Sequence, residues 1–251
     1  MINQKIIDAV EALKKRGAQI TIATGRAFEL SKPFADHLGI TQPMIVNNGA
    51  LIKAHHDNTI YYSTMLSAEV ITDFYQLAKK HQFAYTLHTE TGFYINDIKS
   101  TAYYEEWNRL YPHSKVPYKI VDDALTLKHI DAYKFLLIID DEMVFEAMRK
   151  TYHERTDCTI TKSHTSLFDI TPPNTTKGDA LKRVVKQSVH PINHVIAFGD
   201  NDNDVDMLKT ADIGFAMANA TAPCKAAANY VCESTSDGDG IYEILVQFLA
   251  A

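Results

Sequence analysis

The chain has 251 residues, of which 46% are hydrophobic and 22% charged, and its formal net charge is −6. These values are ordinary for a globular protein, and the negative charge argues against generic binding to nucleic acids or anionic membranes. No apolar run approaches the roughly 20 residues that span a bilayer. The three cysteines are far apart and are expected to be free thiols, which indicates a cytoplasmic protein.

The first segment alternates helices with apolar strands. The periodicity of its apolar residues predicts an amphipathic helix that stops at Gly17. Residues 19–24 are then predicted to form a buried strand, a second helix opens at Gly25-Arg26, and residues 44–50 have the same strand-like character. Strands that alternate with helices in this way indicate a parallel, doubly wound sheet.

The middle of the chain mixes helices with hairpins. Such a mixture predicts an α+β insertion of about 100 residues, a size typical of a small domain. The predicted elements are a helix at 67–81, a hairpin at 84–96, a Tyr- and Trp-rich helix near 103–110, a strand at 134–139, a helix at 142–152 and a hairpin at 159–170.

The alternation returns after Pro172. Helices are predicted at 177–187, 203–210, 223–228 and 241–249, and strands at 195–198, 213–217 and 230–232. We therefore predict an α/β fold with a doubly wound parallel-sheet core, interrupted by an inserted α+β cap. The predicted core covers residues 1–64 and 171–251, and the cap covers residues 65–170.

The most informative segment is the acidic stretch that follows the strand at 195–198. A glycine ends the strand, and carboxylates then occur at every second position from Asp200 to Asp206. Isolated buried charge is costly, so ordinary packing does not explain this pattern. Carboxylate and amide oxygens that converge on one point suit a hard divalent cation such as Mg²⁺. A calcium loop is excluded because Val205 and Ala211 occupy the positions of its glycine and glutamate.

Two further segments place polar groups at the carboxyl ends of strands, where open α/β sheets bind ligands. The Thr24 hydroxyl can donate to a phosphate oxygen, although a threonine there is more often a helix N-cap. Lys177 lies in the first turn of a helix, where a cation opposes the helix dipole, and either faces an anion or is a solvated surface lysine. Likewise, the alternative to a ligand role for Asn203 or Asp204 is that the residue caps the next helix.

In this order around an insertion, these segments resemble the haloacid dehalogenase superfamily, and most closely its Cof-type, sugar-phosphatase-like branch. The resemblance is carried by Thr24-Gly25-Arg26 after a strand, Lys177 at a helix start and Gly199-Asp200-x-x-Asn203-Asp204, with Asn48-Gly49-Ala50 and residues 216–220 and 237–241 in support. It covers nearly the whole chain. It implies a Mg²⁺-dependent hydrolase of phosphate monoesters that acts through an aspartyl-phosphate intermediate.

The resemblance also implies roles for single residues. Thr24 and Lys177 correspond to catalytic residues that orient the phosphoryl group and hold it beside the nucleophile, and Asp200 corresponds to a direct Mg²⁺ ligand. The other implied contacts are Gly25, Arg26 and Asn203 to phosphate, Asn203 and Asp204 to the metal, and Asn48 and Gly49 to substrate. The expected partner is a small phosphorylated metabolite, not a nucleic acid or a membrane, and a homodimer is compatible with the sequence.

The family's first motif, a strand that ends in Asp-x-Asp-Gly-Thr, does not occur in residues 1–251. Its first aspartate is the nucleophile and its second is the general acid/base. Asp140 and Asp141 follow an apolar strand, but they lie in the cap, and Asp140 or Asp141 is expected to be a helix N-cap. Our leading hypothesis is that Met1 is an internal methionine, and a true pseudoenzyme is the second. As written, the chain is expected to be inactive.

Three functions stay open at this point: a phosphatase, a catalytically dead protein that binds Mg²⁺ and a phosphorylated metabolite, and a mutase-type phosphotransferase. The cap is expected to choose the substrate, because inserted segments over strand ends shape the pocket. The aromatic residues of the cap are one candidate for stacking on a sugar, although at helical spacing they more often form a domain core. These aromatic residues are Tyr94, Tyr103, Tyr104 and Trp107, and Asn96 belongs to the same candidate sugar-binding set.

Overall fold

The computed structural model describes residues 2–40, 42–97 and 101–250, and Met1, which we expect to be an internal methionine, lies outside them. The helices are α1 (Gln4–Lys15), α2 (Phe28–Leu38), α3 (Ala68–His81), α4 (Thr101–Leu110), α5 (Ala124–Leu127), α6 (Glu142–Tyr152), α7 (Lys177–Gln187), α8 (Val205–Thr210), α9 (Ala222–Ala227) and α10 (Gly240–Ala250). The strands are β1 (Met44–Val46), β2 (Leu51–Lys53), β3 (Ile60–Ser63), β4 (Ala84–Thr89), β5 (Gly92–Ile95), β6 (Tyr118–Ile120), β7 (Lys134–Ile138), β8 (Thr159–His164), β9 (Leu167–Thr171), β10 (Ile196–Gly199), β11 (Ile213–Ala216) and β12 (Tyr230–Val231). Short 3₁₀ turns at Asn47–Gly49 and Asp202–Asp204 follow β1 and β10.

The core has a parallel sheet, β10-β11-β12, and an antiparallel sheet, β1-β2-β3. Alternate residues of a strand point to opposite faces, so Ala197 packs against Leu181 of α7 while Phe198 lies on the other side. On that other side, α1 and α10 pack together through Val10 and Leu245. This layered arrangement around parallel strands confirms the predicted α/β class.

The segment at residues 19–24 is less regular than the strand we predicted, and that prediction was wrong. Only Ala23 forms a bridge, parallel to Ile45, and the Thr24 N–H donates to the Ile45 carbonyl oxygen at 2.8 Å. Within the described residues, β1 is the one strand that pairs with this segment, and β11 is the one strand that pairs with β10. A regular strand needs a continuous ladder, and this segment has a single bridge to β1.

The cap sheet has six strands in the order β6-β5-β4-β7-β9-β8, antiparallel except for the β5–β6 pair. One face packs against α3 and α6 in an apolar cluster that includes Phe74, Phe135 and Phe145. The other face lies over the core and contacts the residues that follow Thr24 and β1. The predicted cap helices and hairpins are confirmed, whereas α5, β6 and the β2–β3 hairpin were not predicted.

An apolar contact joins the cap to α2 of the core. Leu30 packs in one cluster with Phe93, Tyr104 and Trp107, and the Trp107 indole N–H donates to the Ser114 carbonyl oxygen at 3.2 Å. The interpretation of Tyr104 and Trp107 as packing residues is therefore confirmed. None of the helices in residues 2–40, 42–97 and 101–250 is long and apolar enough to cross a membrane.

Candidate phosphate and metal site

The loop after residue 23 brings a free hydroxyl to the edge of the core. Thr24 is half-buried, and its Oγ1 accepts a hydrogen bond from the Arg26 backbone N–H at 3.2 Å. Helix α2 begins four residues later with Ala27 as its N-cap, so the alternative interpretation of Thr24 as an N-cap is wrong. The hydroxyl hydrogen of Thr24 is therefore available to a ligand oxygen.

Gly25 lies in close contact with the site, whereas the Arg26 side chain packs away from it. A Cβ atom on Gly25 would lie 2.7 Å from Asn48 Oδ1, so a side chain here would displace the Asn48 amide. Arg26 is exposed, and its guanidinium lies over the Phe34 ring, 5.6 Å from the centroid. In this conformation, Arg26 packs on α2 and does not join the cluster of polar groups around Asn48.

The turn after β1 has an unusual backbone that positions two asparagines. Asn47, Asn48 and Gly49 have φ angles of +50°, +57° and +102°. Asparagine and glycine are the residues that tolerate this left-handed region best. A Cβ on Gly49 would overlap the carbonyl oxygen of Thr176, so glycine is needed for the close approach of the turn to α7.

Lys177 forms a buried ion pair with the acidic loop. Its Nζ lies 2.6 Å from Asp204 Oδ1, and the two side chains are 6% and 7% exposed. The other carboxylate oxygen of Asp204 accepts the backbone N–H groups of Asp200 and Asn201 at 3.0 and 3.1 Å. The anion that Lys177 faces in this structure is thus Asp204, and the alternative of a solvated surface lysine is wrong.

Asp200 and Asn203 each keep an oxygen atom that can bind a cation. Asp200 is half-buried, and its Oδ1 accepts from the Asn201 side chain at 3.0 Å. Asn203 is 8% exposed and donates through Nδ2 to Asn48 Oδ1 at 2.9 Å, which leaves its own amide oxygen as an acceptor. The structure therefore brings Asn48, Asn203, Asp204 and Lys177 into one connected cluster.

The acidic loop offers a small set of oxygen donors for Mg²⁺. In the part of the chain that the structure describes, no three His, Cys, Asp or Glu side chains converge as a metal cluster. Mg²⁺ needs fewer protein ligands, because it commonly takes one or two carboxylates, keeps several waters and binds a substrate phosphate. The Asp200 carboxylate and the Asn203 amide oxygen fit that pattern. Asp204 Oδ2 accepts two backbone N–H groups, whereas Oδ1 accepts from Lys177 and keeps a lone pair that a cation could use.

The cap adds charged residues that the sequence analysis missed. Lys134 Nζ donates to the Gly25 carbonyl oxygen at 2.6 Å and lies 3.3 Å from Asp169 Oδ1. Asp169 Oδ2 accepts from Asn48 Nδ2 at 2.7 Å. One feature of the sequence could have identified these two residues. Each is the single charged residue of an otherwise largely apolar strand, Lys134 in β7 and Asp169 in β9.

His88 of the cap binds the same turn. Its Nδ1 lies 2.8 Å from Asn47 Oδ1, and because an amide oxygen only accepts, Nδ1 is the donor. Burial lowers the pKa of His88 well below its usual 6.5, and the positive charge of Lys134 adds to this effect. The imidazole is therefore neutral near pH 7.

The α/β fold with its parallel-sheet core matches the fold of a solved haloacid dehalogenase-like hydrolase. The family model of these hydrolases matches residues 1–245, and the chain belongs to this family.

Named relatives and solved structures agree with this assignment. Pyridoxal phosphate phosphatase YbhA of Escherichia coli (strain K12) is 26% identical over 247 residues, which are 97% of this chain and 89% of that protein. The 5-amino-6-(5-phospho-D-ribitylamino)uracil phosphatase YitU of Bacillus subtilis (strain 168) is 24% identical over 256 residues, 99% of this chain and 92% of YitU. A haloacid dehalogenase-like hydrolase from B. subtilis superposes with a TM-score of 0.84 at 24% identity, covering 98% of this chain and 93% of that one.

Proposed function

We propose that this fold serves Mg²⁺-dependent hydrolysis of a phosphate monoester of a small metabolite, by way of an aspartyl-phosphate intermediate. The observation that carries the proposal is the meeting of Lys177, Asp204 and the half-buried Asp200 at the carboxyl end of β10. A cation and oxygen ligands at one strand end are suited to neutralise the charge of a phosphoryl group. The relatives support the class of substrate, because those named above act on small phosphorylated metabolites.

Each binding group has a separate task in this proposal. The Thr24 hydroxyl donates to a phosphoryl oxygen. The Lys177 ammonium has three N–H donors, of which Asp204 takes one, so two remain for phosphoryl oxygens. Asp200 and Asn203 would hold Mg²⁺, which when bound neutralises negative charge on the phosphoryl group.

None of Asp141, Asp200 and Asp204 is free to be the attacking carboxylate in this proposal. Asp141 caps α6 by accepting from the Met143 and Val144 N–H groups, so its expected capping role is confirmed. Asp204 is held by Lys177 and the backbone, and Asp200 is assigned to the metal. We therefore propose that residues 1–251 by themselves bind a phosphorylated metabolite without hydrolysing it.

The lack of an Asp-x-Asp-Gly-Thr segment in residues 1–251 also favours a second candidate function. This candidate is a non-catalytic protein that captures Mg²⁺ and a phosphorylated metabolite. A mutase-type phosphotransferase is the enzyme alternative, and it would return an isomerised sugar phosphate instead of inorganic phosphate.

Binding and phosphate release, measured on the same sample, test the proposed site and the proposed inactivity of residues 1–251. Chain 1–251 is incubated with Mg²⁺ and either pyridoxal 5′-phosphate or a hexose 6-phosphate. We expect binding that weakens about 10-fold or more in Asp200→Asn, an energy of about 1.4 kcal/mol, with no phosphate released. Asp8→Asn, an exposed carboxylate on α1, is the matched control and should bind normally.

The other outcomes decide between the alternatives. Phosphate release that Asp200→Asn abolishes would overturn the proposed inactivity of residues 1–251. An isomerised sugar phosphate would favour the mutase. A chain that binds neither ester with Mg²⁺ present would contradict the proposed phosphate and metal site as a whole.

A further inference from the structure

Two threonines that cap helices also donate to carboxylates of the acidic loop. Thr176 is the N-cap of α7, where its Oγ1 accepts the Asp179 N–H at 3.0 Å, and its hydroxyl donates to Asp206 Oδ2. Thr221 is the N-cap of α9, and its hydroxyl donates to Asp202 Oδ1 at 2.7 Å. Capping a helix uses the hydroxyl only as an acceptor, so the two donated hydrogen bonds serve a purpose besides capping.

The contact between Thr176 and Asp206 brackets the proposed phosphate-binding lysine. Lys177 directly follows Thr176, and the next residue, Gly178, also lies against Asp206. A Cβ atom on Gly178 would come within 2.3 Å of Asp206 Oδ2 and within 2.6 Å of the Asp206 carbonyl oxygen. Asp206 therefore holds the residues on both sides of Lys177, and this fixes the backbone from which the long lysine side chain extends.

The contact between Thr221 and Asp202 lies beside the proposed metal ligand. The Thr221 backbone N–H donates to the Asp200 carbonyl oxygen at 3.0 Å, while the Thr221 hydroxyl holds Asp202, two residues further on. The Asp200 N–H in turn donates to Asp204 Oδ2 at 3.0 Å. The main chain of Asp200 is thus held on both of its sides, and its carboxylate extends from a fixed point.

These contacts account for the alternation of carboxylates in the acidic loop. Asp204 binds Lys177 and Asp200 is the proposed metal ligand, whereas Asp202 and Asp206 bind the capping threonines of two helices. A binding group works well only when it is held to within about 0.5 Å of its productive position. Loss of a residue that supports a metal ligand from outside typically lowers metal affinity about 10- to 100-fold.

We infer that Asp206 and Asp202 are positioning residues for the two halves of the site. Asp206 acts through the N-cap of α7 on Lys177, and so on phosphate binding. Asp202 acts through the N-cap of α9 on Asp200, and so on Mg²⁺ binding. This inference rests on the proposed function, because it requires phosphate to lie at Lys177 and Mg²⁺ at Asp200.

The test measures Mg²⁺ binding and phosphate binding separately, by calorimetry on chain 1–251. Mg²⁺ is titrated alone, and inorganic phosphate is titrated at a Mg²⁺ concentration that saturates each variant. Asp206→Ala should weaken phosphate binding about 10-fold and change Mg²⁺ binding by less than about twofold. Asp202→Ala should do the reverse. The two variants are matched controls for each other, because each removes one negative charge from the same loop and leaves the capping threonine in place.

Asparagine variants separate the effect of position from that of charge. Asp206→Asn and Asp202→Asn lose the negative charge but keep an amide oxygen that accepts from the threonine hydroxyl. Each should restore the affected affinity to within about threefold of the wild type. Thr176→Val and Thr221→Val break the same two contacts from the other partner and should repeat the two selective losses. Urea denaturation shows that each variant is folded before its binding is measured.

Three results would overturn the inference, and they differ from one another. If the alanine variants unfold more easily but bind both ligands as the wild type does, the two carboxylates only hold α7 and α9 on the loop. If the asparagine variants bind as weakly as the alanine variants, the charge of the loop sets the affinities, and position does not. If the wild type binds neither Mg²⁺ nor phosphate, the proposed function itself fails, and that failure is recognisable because no variant is involved.

Discussion

Two buried Lys–Asp pairs face the same small region, one from the core and one from the cap. Lys177 and Asp204 lie 2.6 Å apart and are completed within the core, since Asp204 also accepts two backbone N–H groups of its own loop. Lys134 and Asp169 lie 3.3 Å apart and are completed from outside the cap, by the Gly25 carbonyl and the Asn48 amide. One pair therefore joins α7 to the acidic loop within the core, whereas the other is complete only when cap and core are in contact.

This difference separates two properties of the site. The core pair shapes the acidic loop without any contact from the cap, so the floor of the site is preorganised. Separating the cap from the core would break two hydrogen bonds of the cap pair and return its charges to water. Loss of one partner should consequently cost more in the core than in the cap.

The largest expected effect is that of Lys177→Met. The substitution leaves the buried Asp204 carboxylate without its cation, and breaking a buried pair in this way costs about 3–5 kcal/mol. Urea denaturation at pH 7 measures the loss in free energy of unfolding. Lys182→Met is the control, because its pair with Asp179 is exposed and worth about 0–1 kcal/mol. Equal losses in the two variants would refute a special role for the core pair.

Lys134→Met breaks the cap pair, so it can be compared directly with Lys177→Met in the core pair. Its effect on the free energy of unfolding should be intermediate. We expect a loss of about 1–3 kcal/mol in the free energy of unfolding, because Asp169 can regain water by local separation of the cap. Hydrogen exchange should quicken at the Asn47 and Asn48 amides, which bond to the Arg26 and Thr24 carbonyls in this junction. A loss as large as that of Lys177→Met, with no local change in exchange, would contradict the distinction between the two pairs.

The smallest expected effect is a pH dependence of the stability, which comes from His88 of the cap. The pKa of His88 is lower in the folded than in the unfolded chain, so its contribution to stability is fully present above about pH 6.5 and is lost as the pH falls below that value. The slope from one such group is at most about 1.4 kcal/mol per pH unit. His88→Gln, which cannot be protonated, should flatten the loss of stability between pH 7 and 5. His129→Gln, at an exposed position, should leave it unchanged.

The local parts of the site were predictable from the sequence. Helix α7 begins at Lys177 and ends at Gln187, as its apolar period and its Thr-Lys start predict, and the acidic loop follows β10 as expected. These features depend on neighbours within a few residues. The pairing of Lys177 with Asp204 was not predictable in detail, because it depends on how α7 packs beside the loop.

Features that depend on two distant segments were missed. Lys134 and Asp169 are single charges in largely apolar strands, and the sequence does not show which face of the cap sheet meets the core. Asn48 was expected to face the substrate, yet both ends of its amide are engaged, by Asp169 and by Asn203. Its position follows from a left-handed turn whose shape is set by the approach of Gly49 to α7.

The one-sided pairing of β10 has a consequence for handling the protein in solution. Among the described residues, β10 is hydrogen bonded to β11 and to no other strand, and Ile196 on it is 37% exposed. A strand edge with an accessible apolar side chain is a template for pairing with another polypeptide. We therefore expect the chain to self-associate as its concentration rises. The apparent molar mass from light scattering should then increase as the sample is concentrated. Each affinity and unfolding curve should accordingly be recorded over a dilution series.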